Sequence, residues 1–291
     1  MFRHRTLLAY ALLAPLLIWL FVTIAIPVGY LLYLSFINVG IAGTGGKFVW
    51  FDNFINVLGS KRFFQALRNT LFWVVGNGLL QVALAFLVAR LLYKRTHLNN
   101  FLQLWIILPW VIPGVAAVII WRWMLNGIGI VNYALEPFTN EPVSFFANPT
   151  IAMLTTIFIN SWRFFPLLAV IVLAAMRTIP SELREAAFVD GATDKQTWRF
   201  IMLPLLQPVL YVMGLLGTLW SANIFDVIWL LTKGGPSGGT TTLPVYIYEE
   251  AFSRFKLGNA AAASVLMSLA LLVFVILFLR TGWGRELGKK S

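Results

Sequence analysis

Few residues of this chain could do covalent or acid–base chemistry. It has no Cys, and its two His are His4 and His97. The lack of Cys removes thiolate nucleophiles, disulfides and Cys-based zinc or iron–sulfur sites together. Two His leave neither a histidine metal cluster nor a Ser-His-Asp arrangement to build. A glycine-rich run, Gly40 to Phe48, ends on Lys47 and superficially resembles a phosphate loop. That loop needs Gly at 41, where Ile41 stands, and Ser or Thr at 48, where Phe48 stands. The run reads as a turn before the aromatic Trp50–Phe54 segment. No catalytic residue, metal site or cofactor is expected in the chain.

The remaining polar residues fall into two sets. One is a loop, 176–204, rich in Glu, Asp and Arg. The other consists of polar side chains inside apolar runs: Asn77 with Gln81, Asn160 with Arg163, Asn223 with Asp226 and Trp220, and Ser264 with Ser268. Each group repeats at three or four residues, so each would share one helical face. Such faces bind by hydrogen bonds and charge and catalyse nothing.

The elements that must position them follow from composition. Of 291 residues, 59% are hydrophobic and only 11% charged, against about a quarter charged in a soluble domain. Too few charges remain to cover a water-facing surface. Crossing a bilayer takes roughly 20 apolar residues, and six such runs are present: 7–34, 70–92, 101–123, 151–175, 205–231 and 260–279. They are continuous, not alternating, which predicts helices and excludes an outer-membrane barrel. The expected fold is an all-α polytopic membrane protein, a single transmembrane domain over 1–291. Met1 to Arg5 resembles the start of a signal peptide, but the run behind it lacks a small-x-small cleavage site, which predicts an uncleaved first span.

The net charge of +11 is explained by topology and anionic lipid, not nucleic acid. Segments 1–6, 93–100, 176–204 and 280–291 hold 12 Lys and Arg in 55 positions, and 35–69, 124–150 and 232–259 hold 7 in 90. Positive charge marks the cytoplasmic side, so both termini and the 176–204 loop are expected there. Trp50, Trp105, Trp110, Trp121, Trp123 and Trp283 fall near the expected interfaces, as an aromatic belt does.

Within 176–204, Pro180 closes the fourth span. Ser181 is a suitable N-cap, with Glu182 and Glu185 in the first turn where the helix dipole favours them. Leu183, Ala186, Ala187 and Val189 give the segment an apolar side. Asp190-Gly191 stops it, since Gly takes the left-handed conformation that ends helices. Asp194 is expected to cap a second short helix, and Pro204 opens the fifth span. Patterning alone leaves two readings: an amphipathic loop on lipid headgroups, or a docking element for another protein.

The residues then resemble a family. Ile179-Pro180, Glu185-Ala186-Ala187, Asp190-Gly191-Ala192 and Ile201-x-Leu203-Pro204 are similar, without insertion, to the EAA signature of binding-protein-dependent ABC importer permeases. Ile224 to Phe252 and Leu108-Pro109-Trp110-x-Ile112-Pro113-Gly114 extend the resemblance over about residues 5–282. It implies a type I importer permease of the maltose or glycerol-phosphate class, in the bacterial inner membrane, importing a sugar, oligosaccharide, polyol or glycerol phosphate. It also implies partners: a second permease subunit, two cytoplasmic ATPases that hold the ATP and magnesium, and an extracytoplasmic solute-binding protein. Carried over, Glu185, Ala186, Ala187, Asp190, Gly191 and Ala192 are the ATPase-docking core, and Ile201, Leu203 and Pro204 orient the loop.

The intramembrane polar residues then read either as a solute path or as bonds between helices. Asn77, Gln81, Asn160, Trp220, Asn223, Ser264 and Ser268 stay open between the two, and Arg163, near the expected midplane, leans to the path. At 1.5 Å per residue an unbroken fifth helix puts Asp226 about 30 Å from Pro204, near the outer mouth, supporting a gate or a binding-protein contact and not paired with Arg163. The rival function is an ion-coupled secondary carrier with Arg163 and Asp226 as coupling groups. No internal repeat or carboxylate-centred broken span speaks for it.

Overall fold

The computed structural model describes residues 2–39, 46–93 and 97–282. The Ile41–Gly45 part of the glycine-rich run, Lys94, Arg95, Trp283 and the last three basic residues of the chain lie outside the described residues.

In chain order the elements are α1 (Phe2–Leu20), α2 (Ile26–Ser35), the strands β1 (Ile37–Val39) and β2 (Gly46–Phe48), α3 (Asp52–Leu58), α4 (Lys61–Leu92), α5 (His97–Ile106), α6 (Leu108–Val111) and α7 (Gly114–Met124). They continue with α8 (Ile130–Leu135), α9 (Pro149–Thr178), α10 (Ser181–Val189), α11 (Asp194–Thr197), α12 (Leu203–Ala222), α13 (Asp226–Thr232), α14 (Leu243–Tyr248) and α15 (Leu257–Gly282). The fold is all-α with one small hairpin. Among the described residues five helices are long and apolar enough to cross a membrane, or six if one bent pair is a single span. Two of the runs expected to span are broken.

The third is broken: Phe101–Val111 and Gly114–Met124 meet at 94°. Pro113 is the N-cap of α7 in extended conformation and cannot continue the helix before it. The fifth span ends at Ala222, and α13 starts afresh at Asp226. Asn223 ends α12 and Asp226 opens α13, a carboxylate in a first turn where the dipole favours it. Asn223 and Asp226 therefore do not share a helical face. The first span has a π-helical turn, Phe21–Ala25, between α1 and α2.

The chain divides into two compact units. One comprises residues up to Phe64 with Tyr246–Leu272, the other Gln65–Val245 with residues from Val273 onward.

In the first unit exposed apolar side chains include Leu16 and Trp19 of α1, Phe21 and Ile24 of the π-helical turn and Val28 of α2, as suits a helix facing hydrocarbon. The antiparallel hairpin pairs Ile37 with Phe48 and Val39 with Gly46. Buried Asn53 of α3 donates to Ser35 O at 2.9 Å and Ile37 O at 3.0 Å, which ties α3 to the end of α2. Arg62 pairs with Glu249 and, at 3.4 Å, with Glu250.

The second unit has two apolar cores. One gathers Trp73, Val118, Met153, Ile157, Ile228 and Val245 from α4, α7, α9, α13 and α14. The other gathers Leu92, Val172, Leu173, Met176, Met202 and Leu206 from α4, α9, the π-helical turn Trp198–Met202 and the start of α12. The second core backs the 176–204 loop.

Candidate functional site

The loop is two short helices braced against α4. α10 begins on Pro180, which offers no side-chain cap. Ser181 is instead its first residue, a correction to the expected N-cap. The stop is as expected: Gly191 has φ of +78°, and Gly191 N and Ala192 N donate to Phe188 O and Ala187 O at 3.1 and 2.9 Å, satisfying the helix's last carbonyls. Thr193, not Asp194, caps α11, in a reciprocal capping box with Gln196.

Asp194 is thereby free to pair with Arg90 at the end of α4, 2.7 Å away. The Arg90 guanidinium also lies 5.2 Å from the Trp198 ring. On the other side Arg184 donates to Tyr93 Oη at 2.8 Å and stacks on its ring. Ala187 is buried, while Glu185, Ala186, Asp190 and Val189 face outward, Val189 at 87% exposure. Ile201 is half-buried in the π-helical turn before α12, and Leu203 and Pro204 are exposed. The loop holds an acidic and apolar helix face outward with nothing of this unit's described residues over it. Arg90 and Tyr93 were not singled out from the sequence; a cation in the last turn of α4 was their one local signal.

The intramembrane polar residues divide. Asn77 Oδ1 accepts from Asn160 at 2.7 Å, Ser161 at 3.1 Å and Gln81 at 3.2 Å. Asn77 and Asn160 are both fully buried, so this cluster joins α4 to α9. Ser161 was not anticipated. Asn160 Oδ1 has no partner among the described residues. Gln81, Asn160, Phe164, Trp220 and Ser221 line one cleft, which places Trp220 beside the amides. Among the described residues the Asn223 side chain bonds only its own helix, at Leu219 O. Ser264 and Ser268, in the first unit, each donate to the carbonyl one turn back in α15.

Arg163 and Asp226 are brought together, against expectation. Arg163 Nη1 stands 3.6 Å from Asp226 Oδ2. The 30 Å estimate assumed a continuous fifth helix, and the break after Ala222 removes that assumption. Gly114, where α7 restarts, makes room: a Cβ there would fall 2.7 Å from Arg163 Nη1. The two broken spans thus meet at one guanidinium. A further part of the resemblance, Lys233 to Thr242, forms a loop that is pinned, with the start of α14, to α4. Asn69 donates to Gly238 O and Thr241 O at 2.9 and 3.0 Å, and Leu243 N donates to Thr70 Oγ1 at 2.8 Å.

With this geometry in view, residues 81–281 match the family described as binding-protein-dependent transport system inner membrane component. The trehalose/maltose transport system permease protein MalF of Thermococcus litoralis is 30% identical over 94% of this chain and 93% of its own length. The sulfoquinovosyl glycerol transport system permease protein SmoG of Agrobacterium fabrum is 32% identical over 94% and 90%. Among solved structures, a chain of a bacterial ABC transporter that imports the acidic polysaccharide alginate superposes with a TM-score of 0.82, at 25% identity over 96% of each chain. A second structure, of an alginate ABC transporter with an alginate pentasaccharide-bound periplasmic protein, gives 0.83 at 26% identity, over 96% of this chain and 95% of that one. A match spanning both helix breaks, the braced loop and the pinned loop makes this chain a multi-pass transport component belonging to the family of binding-protein-dependent transport system inner membrane components.

Proposed function

We propose that the chain is the permease subunit of an ATP-driven importer for a carbohydrate or related polar solute. It forms a pore with a second, similar permease, two cytoplasmic ATPase subunits drive it, and an extracytoplasmic solute-binding protein delivers the solute. Both termini and the 176–204 loop face the cytoplasm, on the Lys and Arg asymmetry. ATP and magnesium belong to the ATPases.

One observation carries the reading: α10 stops on Gly191 in the left-handed conformation and holds Glu185, Ala186 and Val189 outward from a loop braced to α4 by Arg90 and Tyr93. An apolar face flanked by the carboxylates of Glu185 and Asp190 fits a protein cleft carrying cations. Bracing to a spanning helix gives loop movement a route into the membrane. The relatives named for trehalose, maltose and sulfoquinovosyl glycerol, and the alginate importer, support the solute class. The cleft by Gln81, Asn160 and Trp220 holds amides and an aromatic ring together, but at about 20 Å³ it has room for a water and not for a sugar in this conformation.

The test is uptake by the purified complex in vesicles, with ATP hydrolysis followed while sugars are added through the binding protein. Inhibition by vanadate but not by an ionophore, with sugar-stimulated hydrolysis, is the expected result. The opposite inhibition pattern would restore the ion-coupled carrier with Arg163 and Asp226 as its coupling groups.

A further inference from the structure

The first unit contains a polar pocket, away from the 176–204 loop in sequence, to which the proposed function assigns no role. It encloses about 410 Å³, within the roughly 300–1,000 Å³ of small-molecule sites. Its lining includes Asn38, Asn56 and Asn259, the carboxylate Glu250, the cation Arg254 and the ring of Phe255. Three features separate it from an ordinary crevice.

First, Glu250 is 3% exposed, and its Oε1 is held at 3.4 Å by Arg62 and at 3.4 Å by Arg254. A buried carboxylate is costly unless paired, and this one forms part of the pocket wall. Second, Phe255 has φ of +57° and is 56% exposed. A bulky residue in the left-handed region is an outlier, and such strain concentrates at binding sites. Third, Asn38, Asn56 and Asn259 carry no side-chain hydrogen bond within the described residues, so three carboxamides stand ready as both donors and acceptors.

This set decides the guest. A cation would meet Arg254 and Lys256, which also lines the pocket, while Glu250 is already neutralised by Arg62 and Arg254. A neutral, hydroxyl-rich guest uses carboxamides, carboxylate and guanidinium together, and the apolar face of a sugar ring packs on an aromatic side chain. The geometry points to a saccharide-binding site in this pocket, separate from the cleft by Trp220, that takes one or two sugar units with Phe255 as platform. The assignment rests on the carbohydrate reading above.

The absence of native Cys makes the test clean. Asn56→Cys and, as a second variant, Asn38→Cys are prepared in the intact permease–ATPase complex in lipid nanodiscs, and maleimide labelling rates are measured with maltose, trehalose, glycerol and glycerol phosphate as probes. A Cys at Glu141, in another loop, is the control. Expected is saturable protection at 56 and 38, about tenfold slower labelling at about ten times the Kd, and none at 141. Sugar-stimulated ATP hydrolysis without protection would overturn the pocket assignment and leave the transport reading standing. Protection by the sugar-free binding protein alone would make the pocket a docking surface and overturn the saccharide assignment. No stimulation and no protection by any probe would bring down both.

Discussion

Arg163, in the middle of α9, stands 3.6 Å from Asp226, the first residue of α13. It can do so because Gly114 leaves space for its guanidinium. The pair links a continuous span to the restart of a broken one, beside the restart of a second broken span. It is therefore placed to report, or to resist, movement of α13 against α9. Arg163→Ala is expected to lower uptake more than it lowers complex assembly. Gly114→Ala is expected to act in the same direction. Its Cβ displaces the flexible end of Arg163, not backbone, so stability should fall by less than the ~1–3 kcal/mol of an overpacked core. Uptake and thermal unfolding measured side by side decide it: normal transport with a destabilised complex would make the pair structural.

Gly191→Val tests the loop stop. Nothing lies within 4 Å of a Cβ at this position, so the cost is conformational: about 1–2 kcal/mol for an L-residue in the left-handed region. The expected product is a folded, inserted subunit that no longer holds the ATPase. Gly191→Asn, which tolerates that conformation better, should retain part of the binding. Co-purification of the ATPase with each variant gives the answer, and unchanged retention for Val would sink the docking assignment.

Glu185→Lys separates docking from lipid contact by sign. Breaking a desolvated interfacial charge pair costs on the order of 2–5 kcal/mol, at least about thirtyfold in affinity. On an anionic membrane surface the added Lys would instead bind better, by about 1 kcal/mol. Reconstituted complex should lose both ATPase retention and solute-stimulated hydrolysis. Full retention and stimulation would withdraw the coupling role of this carboxylate.

Asn77→Leu removes one acceptor from three donors, Gln81, Asn160 and Ser161. The bonds from Asn160 and Ser161 are interhelical; such bonds in membranes are worth about 0.6 kcal/mol on average and up to about 1.7, so a loss of about 1 kcal/mol is expected. Thermal or denaturant unfolding in detergent measures it. The Asn77→Leu, Asn160→Leu double variant should lose less than the sum of the singles, because the two residues share a bond. Strict additivity would show that the cluster does not act as a unit.

Tyr246 gives an alkaline signature. Burial is the main cause that raises its pKa above 10.0, with the Glu250 carboxylate adding to it and the Ser60 hydrogen bond, Arg62 and Arg254 acting in the opposite direction. The folded state therefore keeps the phenol proton after the unfolded chain has lost it. This contribution is complete below pH 10 and is lost as pH rises above it. Tyr246→Phe should flatten the fall in thermal stability above pH 10, and an unchanged alkaline slope would assign the fall to other groups.

The all-α class, the existence of the spans, and the α10 stop at Gly191 were readable from the residues because each depends on local quantities. A run of about 20 apolar residues needs a bilayer wherever it sits, and Gly after Asp190 stops a helix whatever packs beside it. The EAA spacing was equally local. The caps were less secure, since Ser181 and Asp194 lost their expected roles to Pro180 and Thr193, one position away. What only the tertiary structure decided was every pairing across distance. Arg90 meets Asp194 across 104 positions, and Asn160 meets Asn77 across 83. Arg163 meets Asp226 because two spans break at Pro113 and after Ala222. Helical periodicity assigns a residue to a face, but not which neighbour that face meets or where a helix restarts. Those depend on the packing of several helices at once, which no single stretch of sequence contains.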